Sequence, residues 1–337
     1  MPTQLPTQLP TTRREFTKTS LALSMGSLAI GAAHSQAPGP AVVRMVVPWP
    51  AGGSTDAVAR LLAEKLRGEL APTLIIDNKG GAGGRIGLEA MKSVPTDGSV
   101  FVVNPASGFV IYPHVYKKLS YDPIRDFIPV TRICRFPYAI AVGPGVPASV
   151  GTLPQLMQWC RDHPKEANYG VSALGSGTHF GGVKLAQFTG VALHAVPYRG
   201  DAPLLQDLMA GAVPMGVLVL ASTLPQLGSG RLRVLATTGG SRSALTPNVP
   251  TVKETVPGYE AEEWFGAFLP RGASAETVNR LDAAIHAALK SDLVQQGLTK
   301  LGFEAAGESQ ADFARLVRSD LERWGPIVQS SGFTAEE

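Results

Sequence analysis

The chain of 337 residues is 44% hydrophobic and 17% charged, with 30 Lys and Arg against 27 Asp and Glu for a formal net charge of +3. This composition, rich in Gly and Pro, fits a globular α/β protein of two lobes and confines disorder to the ends. It excludes a nucleic-acid-binding charge stripe, because no run of about five or six basic residues occurs.

In chain order the first signal is Thr12-Arg13-Arg14-Glu15-Phe16-Thr17-Lys18, followed by an apolar stretch over 21–33 and then Ser35-Gln36-Ala37. The arrangement resembles a twin-arginine export signal with a small-residue cleavage site, which makes residues 1–37 the signal and the mature protein periplasmic. Two arginines before an apolar segment also mark a general secretion signal or an uncleaved anchor. The stretch is shorter than the ~20 apolar residues of an ordinary membrane span, and no later segment qualifies. Its removal takes Arg13, Arg14 and Lys18 against Glu15, so the formal charge falls from +3 to +1.

Val42, Val43, Met45, Val46 and Val47 then form a β-branched run of the kind that makes a buried parallel strand. The strand stops at Pro48 and leads through Trp49-Pro50-Ala51-Gly52-Gly53-Ser54-Thr55-Asp56 into a helix marked by Val58, Leu61, Leu62 and Leu66. Ser54 or Thr55 is a competent N-cap. Gly52 and Gly53 let the backbone approach a ligand, and the first-turn amides and helix dipole favour negative charge. This turn reads as an anion cradle, with a plain strand-to-helix connection as the alternative.

Further strand candidates cover 73–76, 100–103, 138–142, 192–196, 213–219 and 232–236, and helix candidates start near Ile86, Leu153, Thr178, Pro203, Ala275 and Gln310. Their alternation favours a sheet flanked by helices on both faces. Gly80-Gly81-Ala82-Gly83-Gly84 is either a flexible connection or a part of the cleft. Pro and Gly clusters at 143–147 and around 269–272 read as crossings between lobes, giving lobe 1 as 38–142 together with 266–337 and lobe 2 as 143–265. Cys134 and Cys160 are equally compatible with a disulfide and with two buried thiols.

A second turn repeats the chemistry of the first. Tyr169-Gly170-Val171-Ser172 leads into Leu174-Gly175-Ser176-Gly177-Thr178-His179-Phe180-Gly181 and a helix with Val183, Leu185, Ala186 and Phe188. Two glycine-rich helix openings, one per lobe, are what a cleft needs to grip an anion from both sides.

Ordered landmarks across nearly the whole mature chain resemble the solute receptors of tripartite tricarboxylate transporters, the Bug family. They include Pro50-Ala51-Gly52-Gly53-Ser54-Thr55-Asp56, Gly80 to Gly84 with Ile86-Gly87, Tyr116-Lys117-Lys118-Leu119, Tyr121-Asp122-Pro123, residues Gly175 to His179, Val196-Pro197-Tyr198-Arg199-Gly200, Asn248-Val249-Pro250-Thr251 and Trp264-Phe265-Gly266. The resemblance implies a type II-like periplasmic binding protein, two α/β lobes on a hinge that close on a small carboxylate for delivery to membrane permease subunits or a sensor. It implies a monomer without cofactor or metal. The turns at 50–56 and 175–179 then hold the carboxylate through backbone amides and hydroxyls, with Ser54, Thr55 and Thr178 as donors. Asp56, which would repel an anion, organises its turn. The ligand-binding candidates are Trp49, Ala51, Gly52, Gly53, Ser54, Thr55, Asp56, Ser107, Gly175, Ser176, Gly177, Thr178, His179 and Tyr198.

Two departures bear on the ligand. Cleft acids that many relatives carry align with Pro214 and Leu218, and Phe109 stands where relatives have His; both changes point to an acid that lacks an amine and has an apolar body. The competing class is an exported hydrolase or lyase using His179 with Ser172 or Ser176 and Asp201. No Gly-x-Ser-x-Gly elbow, phosphate loop, dinucleotide fingerprint or His-Glu-x-x-His motif supports an enzyme.

Overall fold

The computed structural model describes residues 39–335. The expected export signal lies outside the described residues, and every element below belongs to the unit Pro40–Glu337. The described strands are β1 (Val42–Val47), β2 (Thr73–Asn78), β3 (Val100–Pro105), β4 (Phe127–Val142), β5 (Asn168–Val171), β6 (His194–Pro197), β7 (Met215–Val219), β8 (Arg233–Thr237), β9 (Glu262–Pro270) and β10 (Glu304–Ala305). The α-helices are α1 (Ser54–Leu66), α2 (Arg85–Ala90), α3 (Ser107–Val110), α4 (Tyr112–Val115), α5 (Leu153–Asp162), α6 (Gly177–Thr189), α7 (Asp201–Ala210), α8 (Leu220–Thr223), α9 (Ala275–Leu289), α10 (Asp292–Lys300) and α11 (Gln310–Ser331).

The strands pair in the order β2-β1-β3-β9-β4-β7-β5-β6, with β8 and β10 added on β4. β1 lies parallel between β2 and β3, which is why its core-facing residues and the whole of β3 are apolar or buried. β9 runs antiparallel between β3 and β4. β4 then joins two sections of sheet: residues 127–137 pair with β9, whereas 138–142 pair with β7 and β8. Register shifts after Pro129, Arg132 and Ile140 bend this strand, as inserted residues do, so the sheet curls.

The anticipated helices begin within two residues of the expected positions. β9 and the first half of β4 were not anticipated, because Pro129, Pro137, Gly266 and Pro270 punctuate them. Pro129 sits at a register shift, where a missing N–H is tolerated. Leu269 and Pro270, expected in a crossing, instead pair with Ile128 and Phe127. Both cysteines are free and buried, Cys134 in β4 and Cys160 in α5, with Cys160 Sγ 3.9 Å from Met215 Sδ. α11 packs on β4, α3, α4 and α6, so the end of the described chain rests beside the second turn.

Candidate functional site

β1 delivers Pro48 to the first turn, and Trp49 is fixed there by its indole N–H donating to Asn104 Oδ1 at 3.0 Å. Gly52 takes φ +84, a left-handed conformation that a side chain resists. The helix N-cap is Gly53 and no side chain caps it, so neither Ser54 nor Thr55 plays the capping role expected of them. The reason is register: both residues already lie in the first helical turn. Ala57 is the first amide to reach back, to Gly53 O at 2.9 Å, which leaves the amides of Ser54, Thr55 and Asp56 without a helical carbonyl. The buried Asp56 carboxylate accepts the Gly52 amide at 2.8 Å, Arg60 Nε at 2.8 Å and Asn78 Nδ2 at 3.0 Å. The Arg60 bond leads the effects that bring this acid down to about 2, against the opposing cost of burial.

The second turn follows β5 and also turns on a left-handed glycine, Gly175 at φ +78. Ser176 caps α6, its Oγ accepting the His179 amide. Phe180 is the first amide to reach the helix ladder, at Ser176 O, so the amides of Gly177 and Thr178 have no helical carbonyl. The hydroxyls of Ser176 and Thr178 lie 2.8 Å apart, and Thr178 Oγ1 accepts the Ser172 amide at 3.3 Å. Ser172 Oγ in turn donates to Asp201. His179 is buried, with Nδ1 accepting the Gly175 amide at 3.1 Å and its ring against Phe180 and Phe333. Burial pulls the imidazole down to about 4, so it is neutral with its proton on Nε2. Among the described residues neither Ser172 nor Ser176 bonds to this ring, which braces the turn through the Gly175 amide.

The two turns meet at a cavity of about 160 Å³ lined by Trp49, Ser54, Thr55, Pro105, Ser107, Phe136, Tyr138, Ser172, Ser176, Gly177, Thr178, Val219, Glu263 and Phe265. Seven of the expected site residues thus come together: Trp49, Ser54, Thr55, Ser107, Ser176, Gly177 and Thr178. Ala51, Gly52 and Gly53 are exposed and do not line it. Asp56, Gly175 and His179 lie behind it as supports of the turns. Tyr198 packs beside Leu204 and Leu208 and donates to Asp207 at 3.0 Å instead. Phe109 stacks on Phe268 at 3.7 Å in the core, Leu218 packs with Leu204 and Leu208, and none of Phe109, Pro214 and Leu218 lines the cavity.

Glu263, unanticipated from the sequence, is the acid of this cavity. It is 7% exposed, with Oε1 accepting the Ser107 amide at 2.9 Å and Oε2 lying 2.5 Å from the Tyr138 hydroxyl. Burial raises its carboxyl to about 7, opposed by those two hydrogen bonds. The signal in the sequence was the acid pair Glu262-Glu263 running directly into the apolar stretch 264–269, since an acid is rarely buried unless it is paired. Phe136, Tyr138 and Val219 carried no comparable mark. Among the described residues no Lys or Arg lines the cavity.

Residues 58–333 match the family described as the tripartite tricarboxylate transporter family receptor. BugT of Bordetella pertussis is 29% identical over 292 residues, covering 86% of this chain and 89% of its own. Among solved structures, R. palustris Rpa4515 with adipate is similar at TM-score 0.77 and 37% identity, covering 87% of this chain and 98% of the other. MatC (Rpa3494) from Rhodopseudomonas palustris with bound malate is similar at TM-score 0.73 and 28% identity, covering 85% and 98%. The shared architecture is the α/β fold of periplasmic solute-binding proteins, as the resemblance implied.

Proposed function

Since the chain belongs to the tripartite tricarboxylate transporter receptor family, matched over residues 58–333, we propose that its cavity captures a small organic carboxylate that lacks an amine and carries an apolar body. The observation that carries this reading is the convergence on one cavity of two helix ends, with the amides of Ser54, Thr55, Asp56, Gly177 and Thr178 outside the helical ladders. Helix N-termini favour anions through their dipole and their unpaired N–H groups. Hydroxyls of Ser54, Thr55 and Thr178 add donors.

Magnitudes decide how many donors are needed. Micromolar affinity corresponds to about 8 kcal/mol, a dipole offers about 0.3–1 kcal/mol and a charge-assisted hydrogen bond about 1.5–3 kcal/mol. Association and ordering costs subtract from the gross sum. Both turns must therefore contribute, with water excluded around them, and closure of lobe 1 (38–142 with 266–337) on lobe 2 (143–265) supplies that exclusion. Trp49, Pro105, Phe136, Val219 and Phe265 offer the ligand body an apolar surround. Glu263 is the one acid among the described lining residues, and its oxygens accept the Ser107 amide and the Tyr138 hydroxyl. Adipate and malate, bound in the two relatives, are acids without an amine. The protein then acts in the periplasm as a monomer and hands its ligand to permease subunits or to a sensor.

Isothermal titration with adipate, malate and benzoate beside glutamate and aspartate tests this. Plain acids are expected to bind in the micromolar range, with the amino acids at least ~10-fold weaker. Tight amino acid binding with the plain acids silent overturns the reading.

A further inference from the structure

The N-terminus of α6 meets β4 and β9 at a single point inside the cavity. The Tyr138 hydroxyl and Glu263 Oε2 stand 2.5 Å apart there, and a Cβ built on Gly177 would overlap both atoms. The buried acid thus occupies the space that a side chain at Gly177 would need, at the helix end proposed to hold the ligand carboxylate. Tyr138, Gly177 and Glu263 all line the cavity, and among the described residues no cation does.

We propose that Glu263 takes up one proton when the carboxylate binds, so that the receptor captures anion and proton together while Tyr138 turns its hydroxyl from Glu263 to the ligand. This rests on the carboxylate reading above. In the empty site Tyr138 O–H donates to ionised Glu263. An entering anion places a second negative charge in a cavity with no basic side chain, and like charges at close range do not both persist. Solvent supplies a proton to Glu263 Oε2, the new O–H donates to Tyr138 Oη, and the phenolic hydrogen points to the ligand. One O–H bond forms on Glu263, none is lost from Tyr138, and the site keeps a single negative charge.

The surroundings favour this exchange. Burial is the largest influence raising the Glu263 carboxyl, to about 7, before any ligand arrives. From α11, Asp320 adds a further upward push; it is itself bonded to Arg323 at 2.8 Å and to Trp264 Nε1 at 2.9 Å. From α4 the Tyr112 hydroxyl stays protonated, donating to Gly83 O. From α7, Asp201 faces Tyr138 but is held by Ser172 and Ser222. On α6, Lys184 is bonded to the Glu260 carbonyl at 2.6 Å. On β9, Glu262 pairs with Arg135, and on β4 Arg132 pairs with Glu308. The nearby cations are thus engaged with partners of their own.

Titration calorimetry in buffers of different ionisation enthalpy reads the proton count directly, using adipate and hexanoate, which share a chain length and differ in the distal carboxylate. Near pH 8 the wild type is expected to take up close to one proton per ligand, and affinity falls about 10-fold per pH unit above about 7, because the empty site must regain a lost proton. Glu263→Gln, which retains an oxygen for the Ser107 amide, is expected to bind with no proton uptake and a flat pH profile. Tyr138→Phe keeps the uptake but loses about 10-fold in affinity at pH 6 for want of its one donor. Wild-type binding without proton uptake overturns the proposal alone, as does undiminished uptake in Glu263→Gln or unchanged affinity in Tyr138→Phe. If neither acid binds wild type or variants at any pH, the carboxylate reading falls and this inference with it.

Discussion

Their surroundings shift the carboxyls of two buried acids near one cavity in opposite directions, and their partners explain why. Asp56 has a guanidinium at 2.8 Å and drops to about 2, whereas Glu263 has only neutral donors and rises to about 7. The first is a structural strut and the second is poised to exchange a proton near neutral pH. Gly177 sits over the second. Its missing side chain lets α6 approach Tyr138 and Glu263, and any Cβ there would overlap them. Gly177→Ala is therefore expected to push the helix end away, at about 1–3 kcal/mol of stability by the usual cost of overpacking, and to weaken adipate binding at least ~10-fold by displacing the amides of residues 177 and 178. Gly228→Ala, which meets open space, serves as control and stays within about 0.5 kcal/mol. Urea unfolding with titration calorimetry reads both; wild-type affinity in Gly177→Ala defeats the argument.

At the scale of elements, the two strand-turn-helix units carry the site, and the donor role of α1 can be isolated from its fold. Ser54 is the first helical residue, where proline is tolerated because the lost N–H has no helical partner. Gly53 before it already has φ −79 and ψ 172, the extended conformation a following proline demands. Ser54→Pro thus removes one amide and one hydroxyl from the cavity while leaving α1 in place. Expected are an unchanged melting temperature and a ~10-fold loss of adipate affinity, the worth of roughly one charge-assisted hydrogen bond; unchanged affinity would remove α1 from the grip. Both units were legible in the sequence because glycines, hydroxyls and helical periodicity adjoin within about ten residues of each other, a local pattern. The floor of the cavity was not. Phe136, Tyr138, Glu263 and Phe265 come from β4 and β9, whose pairing spans over a hundred residues and of which the local pattern marked only 138–142 as strand. Local patterns announce helix ends, whereas long-range pairing decides which acid lies beneath them.

For the whole molecule, the same β4 strand carries β9 and β10 along one stretch and β7 and β8 along the next, so the proposed lobes share a continuous covalent and hydrogen-bonded axis. On the proposed reading, rotation about this shared strand that brings the ends of α1 and α6 together is what a carboxylate held by both would stabilise. Closure is therefore expected to follow ligand concentration. The native thiols make this measurable: Cys134 and Cys160 are buried, and burial raises both above the ordinary thiol range, so they resist labelling. Dyes placed on Glu69→Cys in lobe 1 and Lys165→Cys in lobe 2, both at exposed positions, should report a change in energy transfer on adding adipate, saturating at the calorimetric affinity. With Ser54→Pro added, the change should move to about 10-fold higher adipate, since only a ligand gripped from both sides rewards closure. A transfer efficiency indifferent to saturating adipate would mean that the cavity binds without rotation, and the proposed division into lobes would lose its mechanical meaning.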